Sequence, residues 1–365
     1  MAFGWRSVAA EWPLVIPPVA VAVLGLTWGR HIGTVLVLAV AVVLVGAVLA
    51  AVHHAEVVAH KVGEPFGSLI LAVAVTVIEV GLIVTLMISG GPATASLARD
   101  TVFAAVMITV NGIAGLSLFV GSRRYGVALF NAEGTGAALA TVASLATLSL
   151  VLPTFTTSRP GPEFSSAQLV FAAVASLVLY GMFVLTQTGP HRHFFLPVIA
   201  DEPETGDRNS APPTGRMAGM SLALLVVALC AVVGLAKVES PAIEDAVEDA
   251  GLPQSIVGVV IALLVLLPET LAAVRAAQRN RIQISLNLAF GSAMASIGLT
   301  IPAIAVASIW LDGPLLLGLG PTQVVLLAIT VVVGMLTVVP GRATRLQGGV
   351  HLVLLAAYVF LSVNP

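Results

Sequence analysis

Eleven apolar runs follow one another along this chain with short polar stretches between them: Leu14–Trp28, Ile32–Val52, Phe66–Gly90, Val102–Val120, Ala132–Leu152, Leu169–Leu185, Met217–Ala236, Ile256–Val274, Ile284–Trp310, Val324–Val339 and Val350–Val363. A hydrocarbon core about 30 Å thick is crossed by roughly 20 apolar residues of helix, so each run predicts a membrane span. Charged residues make up 9% of the chain, against roughly 25% in an average soluble domain. The expected fold class is therefore an all-α polytopic membrane protein of about 11 transmembrane helices. The first run and the last two are the shortest.

If the spans alternate, one side collects Arg6, Lys61, Arg123, Arg124, Arg192, Arg208, Arg216, Arg275, Arg279, Arg281, Arg342 and Arg345, and the other only Arg30, Arg99, Arg159 and Lys237. Lys and Arg accumulate on the cytoplasmic side, so a multi-pass protein of the cell inner membrane is expected, with its N-terminus cytoplasmic and its C-terminus outside. No cleavable signal stands out. Cys230 is the only cysteine, which excludes an intramolecular disulfide.

Two of the runs contain a lone acid. Glu269 follows the aliphatic stretch from Leu263 to Leu267, and the next cation is Arg275. A charged residue at the centre of a membrane helix costs roughly 2.5–3.5 kcal/mol on insertion scales, and such residues usually face the bundle interior and work there. Pro268, just before it, removes a backbone donor and frees a carbonyl at the same depth, so a helix break is expected there. Glu79 stands likewise alone in LILAVAVTVIEVGLIVTLMI. Each acid-bearing helix leads through a short loop into a helix with polar content: Thr109 and Asn111 in the first half; Asn287, Ser292, Ser296 and Thr300 in the second. Internal repeats with an interrupted helix in corresponding places point to a transporter's substrate site. The domains expected are 1–30 as an N-terminal helix, 31–186 as a first transmembrane repeat, 187–216 as a cytoplasmic linker and 217–365 as a second repeat.

Other polar clusters have plainer readings. In HHAEVVAHKVGE, His53, Glu56 and His60 share a helical face and, with His54, are candidates for pH or cation sensing; the alternative is a solvated helix end. Arg99 and Asp100 read as a helix-start charge pair, and Glu133 as a helix-start acid. Asp201, Glu202, Glu204 and Asp207 form an acidic stretch in the linker. Glu239, Glu244, Asp245, Glu248 and Asp249 would make a negative rim outside, raising the local cation concentration. His351 is lone and has no expected role.

Two buried carboxylates repel when both are ionised, so Glu79 and Glu269, brought together, would hold either protons or a cation, and that competition is the minimal chemistry of an antiporter. A hard cation such as Ca2+ takes several oxygens at about 2.3–2.6 Å. Thr76, Asn111, Asn287, Ser292 and Ser296, with the carbonyls near Pro268, are the candidate supporting ligands. No paired His/Glu metal motif, Gly-x-Ser-x-Gly or P-loop is found, which argues against an enzyme.

Several stretches together resemble a known family: HAEVVAHKVGEPFGSLILAVAVTVIEVGLI, Phe130 with Asn131, QTGPHRHFFLP, LPETLAAVRAAQRNRIQISLNLAFGSAMASIGLTIP and LQGGVHLVLLAAYVFLS. They look like the ChaA-type calcium/proton (sodium, potassium/proton) antiporters of the cation/proton exchanger branch of the cation/Ca2+ exchanger superfamily. The resemblance implies one extra helix followed by two inverted five-helix repeats, with Glu79 and Glu269 as the shared cation and proton ligands. It implies exchange of Ca2+, with Na+ or K+ also open, for protons. The partners implied are inorganic cations and the lipid bilayer, with no cofactor and no nucleic acid. Where many relatives carry Gly-Asn before each acid, this chain has Val75 and Thr76, then Val265 and Leu266, and after Gly291, Ser292 and Ala293 it has Met294 in place of the frequent Gln. Fewer amide oxygens leave open a monovalent-cation/proton antiporter with little Ca2+ activity; a passive cation channel is the other alternative.

Overall fold

This computed structural model describes residues 5–30, 32–63, 66–198, 213–310 and 313–365, and for 5–10, 68, 92 and 93 the backbone alone. Eleven long helices follow the eleven apolar runs: α1 (Trp5–Thr27), α2 (Thr34–Val62), α3 (Phe66–Gly90), α4 (Leu97–Tyr125), α5 (Ala132–Phe155), α6 (Ser166–Thr188), α7 (Gly215–Asp249), α8 (Ser255–Gln278), α9 (Ile282–Ala307), α10 (Pro321–Val338) and α11 (Arg345–Val363). Ten of them are long and apolar enough to cross a membrane, and the apolar part of α1, Glu11–Thr27, is shorter. The fold class is the expected one, one helix and then two sets of five. An odd number of crossings reverses the second set against the first.

By packing, the chain divides into two compact units. The first comprises Met1–Gly90 and Pro203–Ala250, hence α1, α2, α3 and α7. Here α7 lies along the other three, and small residues allow the approach: a Cβ on Gly81 would stand 2.7 Å from Val233 Cγ2, and one on Gly234 would overlap Leu24. Pro17 has no N–H to give the carbonyl of Pro13, one turn back in α1. His54, buried on α2, fills that vacancy with its Nε2 at 2.9 Å from the Pro13 oxygen.

The second unit comprises Gly91–Glu202 and Gly251–Pro365. One of its ends gathers the loops after α4, α6, α8 and α10. The strands β1 (Ala128–Leu129) and β2 (Arg342–Ala343) pair there antiparallel, Tyr125 donates to the carbonyl of Gln278 at 3.0 Å, and Asn287 donates to that of Phe195 at 2.7 Å. At the other end Leu316 N–H bonds the Ala95 carbonyl, Gly318 that of Pro162 and Leu319 that of Leu150, and Arg99 reaches the Gly318 oxygen. Within this unit, Arg123, Arg124, Arg192, Arg275, Arg279, Arg281, Arg342 and Arg345 thus belong to one end and Arg99 and Arg159 to the other, as the alternation of spans requires.

Several helices continue past the apolar runs that announce them. Past Val52, α2 continues to Val62, so HHAEVVAHKV is helix, and past Ala236, α7 continues through Pro241 to Asp249. Most of the acids there are exposed or half-buried, but Glu239 is buried within α7 rather than on a rim. The break expected at Pro268 is not an end of helix: α8 runs through it, and what is missing is a single donor for the Leu264 carbonyl. Asp201, Glu202, Glu204 and Asp207 lie outside the described residues.

In the second unit α4 and α11 approach closely through glycine. A Cβ on Gly348 would stand 2.6 Å from Phe119 N and 2.9 Å from Gly115 O, both backbone atoms. Gly348→Ala is expected to cost about 1–3 kcal/mol of stability, whereas Gly349→Ala, with nothing within 4 Å of the added carbon, is neutral. Thermal unfolding of the detergent-solubilised variants, monitored by size-exclusion, measures the difference.

Candidate functional site

The two acids occupy matching places: Glu79 lies on the second helix of the first five and Glu269 on the second helix of the second five. Each is described within its own unit. Glu79 is 3% exposed on α3, and Thr76, one turn before it, is also buried, its hydroxyl donating back to the Ala72 carbonyl at 2.8 Å. Glu269 is half-buried on α8. Next to it, Thr270 donates to the Leu266 carbonyl at 2.7 Å, a back-bond of the kind that bends helices. Pro268 and Thr270 therefore act on successive turns of the same helix.

The helix α4 is helical throughout, but Ile108–Ile113 forms a π turn. One extra residue in a turn rotates the remainder of the helix about its axis, and such turns mark functional places in helices. This turn packs against α8, α9, α10 and α11, so Asn111's turn adjoins both the helix of Glu269 and the helix of Ser292 and Ser296. Asn111 itself is fully buried, and both ends of its amide are engaged: Nδ2 donates to Thr330 Oγ1 at 2.9 Å, and Oδ1 lies 2.9 Å from His351 Nδ1.

Ser292 and Ser296 stand one turn apart on α9, the first half-buried and the second buried. Asn287 lies nearer the start of α9 and belongs to a different set. Its Nδ2 donates to the Phe195 carbonyl, and its Oδ1 accepts from Gln283 Nε2 at 2.9 Å. Gln283, which sequence reasoning missed, also accepts from the Asn131 N–H at 2.6 Å and donates to Thr135 at 3.3 Å. Asn131 in turn caps α5 by accepting from the N–H groups of Glu133 and Gly134.

Asp100 is a second residue with more partners than a helix-start pair requires. It is buried and accepts from Arg99 at 2.8 Å, Ser96 at 2.8 Å and Gln323 at 3.4 Å. A Cβ on Gly258 would stand 2.8 Å from the Asp100 carbonyl carbon, so the start of α8 rests on this carboxylate's own turn.

His53, Glu56 and His60 are exposed along one face of α2, while His54 points the other way into α1. The four do not form one cluster. Among the described residues no three His, Cys, Asp or Glu side chains are grouped to hold a metal ion.

Losing Gln283 leaves the Asn131 N–H and the Asn287 oxygen without their partners. Gln283→Leu is expected to cost about 1–3 kcal/mol, the penalty for a buried unsatisfied group, and to lower the melting temperature of the purified protein; Gln283→Glu, which keeps the acceptor for Asn131, is expected to lose less.

The same architecture is found among known proteins. The chain matches the family described as sodium/calcium exchanger protein over residues 32–189 and 220–364, one stretch for each set of five helices. It is 45% identical over 357 residues to a Sinorhizobium fredii protein named as an ionic transporter, y4hA, covering 97% of this chain and 96% of that one. It is 33% identical over 353 residues to the sodium-potassium/proton antiporter ChaA of Escherichia coli, 96% of this chain and 95% of the relative. Among solved structures, an H+/Ca2+ exchanger, CAX, superposes with a TM-score of 0.69 at 14% identity, over 95% of this chain and 87% of that one. At that identity the likeness is one of fold.

Proposed function

Because the chain belongs to the sodium/calcium exchanger protein family, we propose that it is a secondary active antiporter that exchanges a cation for protons, both competing for Glu79 and Glu269. The observation that carries the reading is the matched placement of these two acids, each the lone carboxylate in the middle of the second helix of its set of five. An acid kept at membrane depth is a group that works there, binding and releasing charge. Thr76, Ser292 and Ser296 supply hydroxyl oxygens near the acids' helices, and the Leu264 carbonyl, left without its helical donor by Pro268, supplies another. The protein lies in the inner membrane with its N-terminus and the arginine-rich end in the cytoplasm. Residues 31–186 and 217–365 act as its two repeats, joined by 187–216.

The cations are Ca2+ and, as for the relative named a sodium-potassium/proton antiporter, Na+ or K+. One observation favours the monovalent ions over Ca2+. Ca2+ takes 6–8 oxygens, and the two amide oxygens expected to help, those of Asn111 and Asn287, each have one of their two lone pairs engaged by His351 and Gln283.

Addition of Ca2+, Na+ or K+ to energised inside-out vesicles is expected to collapse the pH gradient with wild-type protein, and Glu79→Gln and Glu269→Gln are each expected to reduce the response to the vesicle background while still inserting. Cation uptake that needs no opposite proton movement would replace the antiporter with a channel. Since protons occupy the same carboxylates, the half-saturating cation concentration should rise as the pH is lowered; a value independent of pH contradicts the competition.

A further inference from the structure

The four side chains around Asn111 are bound in an order that the sequence does not announce. Asn111 gives its Nδ2 hydrogens to Thr330 Oγ1 at 2.9 Å, with Met107 Sδ at 3.7 Å. Its Oδ1 therefore faces His351 Nδ1 at 2.9 Å and can only accept, which places the imidazole hydrogen on Nδ1. The other nitrogen, Nε2, then accepts from Thr337 Oγ1 at 3.2 Å, and Thr330 passes its own hydrogen toward Met107 Sδ at 3.6 Å. Every polar atom of His351 and of the Asn111 amide has a partner, and all four polar residues are buried.

The set joins three helices at the one place where α4 is a π turn. It lies where α4 and α11 pack closely, since a Cβ on Gly115 would stand 2.7 Å from His351 Cβ. Asn111 lies within this turn, and its bonds to α10 and α11 tie the turn to both helices. The same turn packs against α8, with Glu269, and α9, with Ser292 and Ser296. A shift of the π turn toward ordinary helix would rotate the face of α4 that these two helices rest on.

We propose that His351 is a positioning residue for the cation site of the second unit: through its Nδ1 hydrogen bond to Asn111 it holds the π turn of α4 in the register against which α8 and α9 set their ligands. The inference rests on the reading of Glu269 as a cation ligand. His351 itself touches no ion. Its Asn111 contact is the one that matters, and its Thr337 contact only completes the second nitrogen.

Three substitutions separate the two contacts. In His351→Asn the amide nitrogen stands near the place of Nδ1 and retains a donor toward Asn111; in His351→Gln the longer amide reaches toward Thr337; His351→Leu keeps neither. Purified protein is titrated with Ca2+, Na+ and K+ separately, and the rise in melting temperature gives an apparent Kd without requiring proton movement. The expected result is that His351→Asn binds within about threefold of wild type while His351→Gln and His351→Leu bind about tenfold or more weakly, a loss of about 1.4 kcal/mol. The inference is overturned if Gln serves as well as Asn, or if Leu leaves the Kd unchanged. Vesicle proton flux measured on the same variants separates the two readings: a wild type that binds a cation tightly but moves no protons sinks the antiport while the order of the three variants still decides the role of His351. A wild type whose melting no cation alters overturns both.

Discussion

In hydrocarbon a polar group has no water to fall back on, so each one carried into a membrane helix must be satisfied by the protein. That constraint orders this molecule. Many of its intramembrane hydroxyls solve the problem locally, as Thr76, Thr109, Ser122 and Thr270 do by donating to carbonyls one turn back. Amides and imidazoles have too many atoms for that solution, and they tie separate helices together: Asn111 with His351 and Thr330, and Gln283 with Asn131 and Asn287. His54 applies the same logic to a backbone group, covering the carbonyl that Pro17 leaves open. Once these bonds are made, the rotation of the helices they join is set, because turning one would strand a polar atom at a cost of about 1–3 kcal/mol.

Packing reinforces the choice. Apolar side chains gain nothing by meeting each other rather than lipid, so close approach through small residues and polar contacts has to hold membrane helices together. In the second unit both devices fall on one pair: Gly115 and Gly348 let α4 and α11 touch backbone to backbone, and His351 is one turn from that contact. A π turn is tolerated there because four neighbouring helices enclose it and the amide in its middle is fully bonded.

How far the sequence discloses this depends on the range of each interaction. The eleven helices were legible because span length and composition are local properties, and the segregation of arginines at one end of the second unit was legible because chain alternation alone produces it. The ends of α2 and α7 were not, since the apolar run stops where the hydrocarbon stops, whereas helix continues until a residue such as Gly63 turns the chain. Pro268 and Pro241 show the same limit: a missing donor weakens one bond, and packing keeps the helix. His351 appeared lone because its partner lies 240 residues away. The signal available was its type and place, an imidazole inside an apolar helix two residues beyond a Gly-Gly pair, where a polar side chain needs a partner that its own helix does not offer. From sequence Asn111 is a candidate ligand with packing as the competing role, and the engagement of both its amide ends supports packing as well.

That engagement bears on ion choice. If the amides of Asn111 and Asn287 fix helices, the oxygens that the proposed site near Glu269 would draw on are the carboxylate, the hydroxyls of Ser292 and Ser296, and the carbonyl of Leu264 across from Pro268. A set with few amide oxygens discriminates less by coordination number than by the charge it must balance and by how firmly its helices are held. A rigid frame that resists closing on a small ion disfavours it; a frame loosened at the π turn can adjust to several. On this view the residues that choose the ion need not be ligands at all, and the hydrogen bond from His351 to Asn111, which sets how freely α4 yields beneath α8 and α9, belongs to the specificity of the site as much as the carboxylate does.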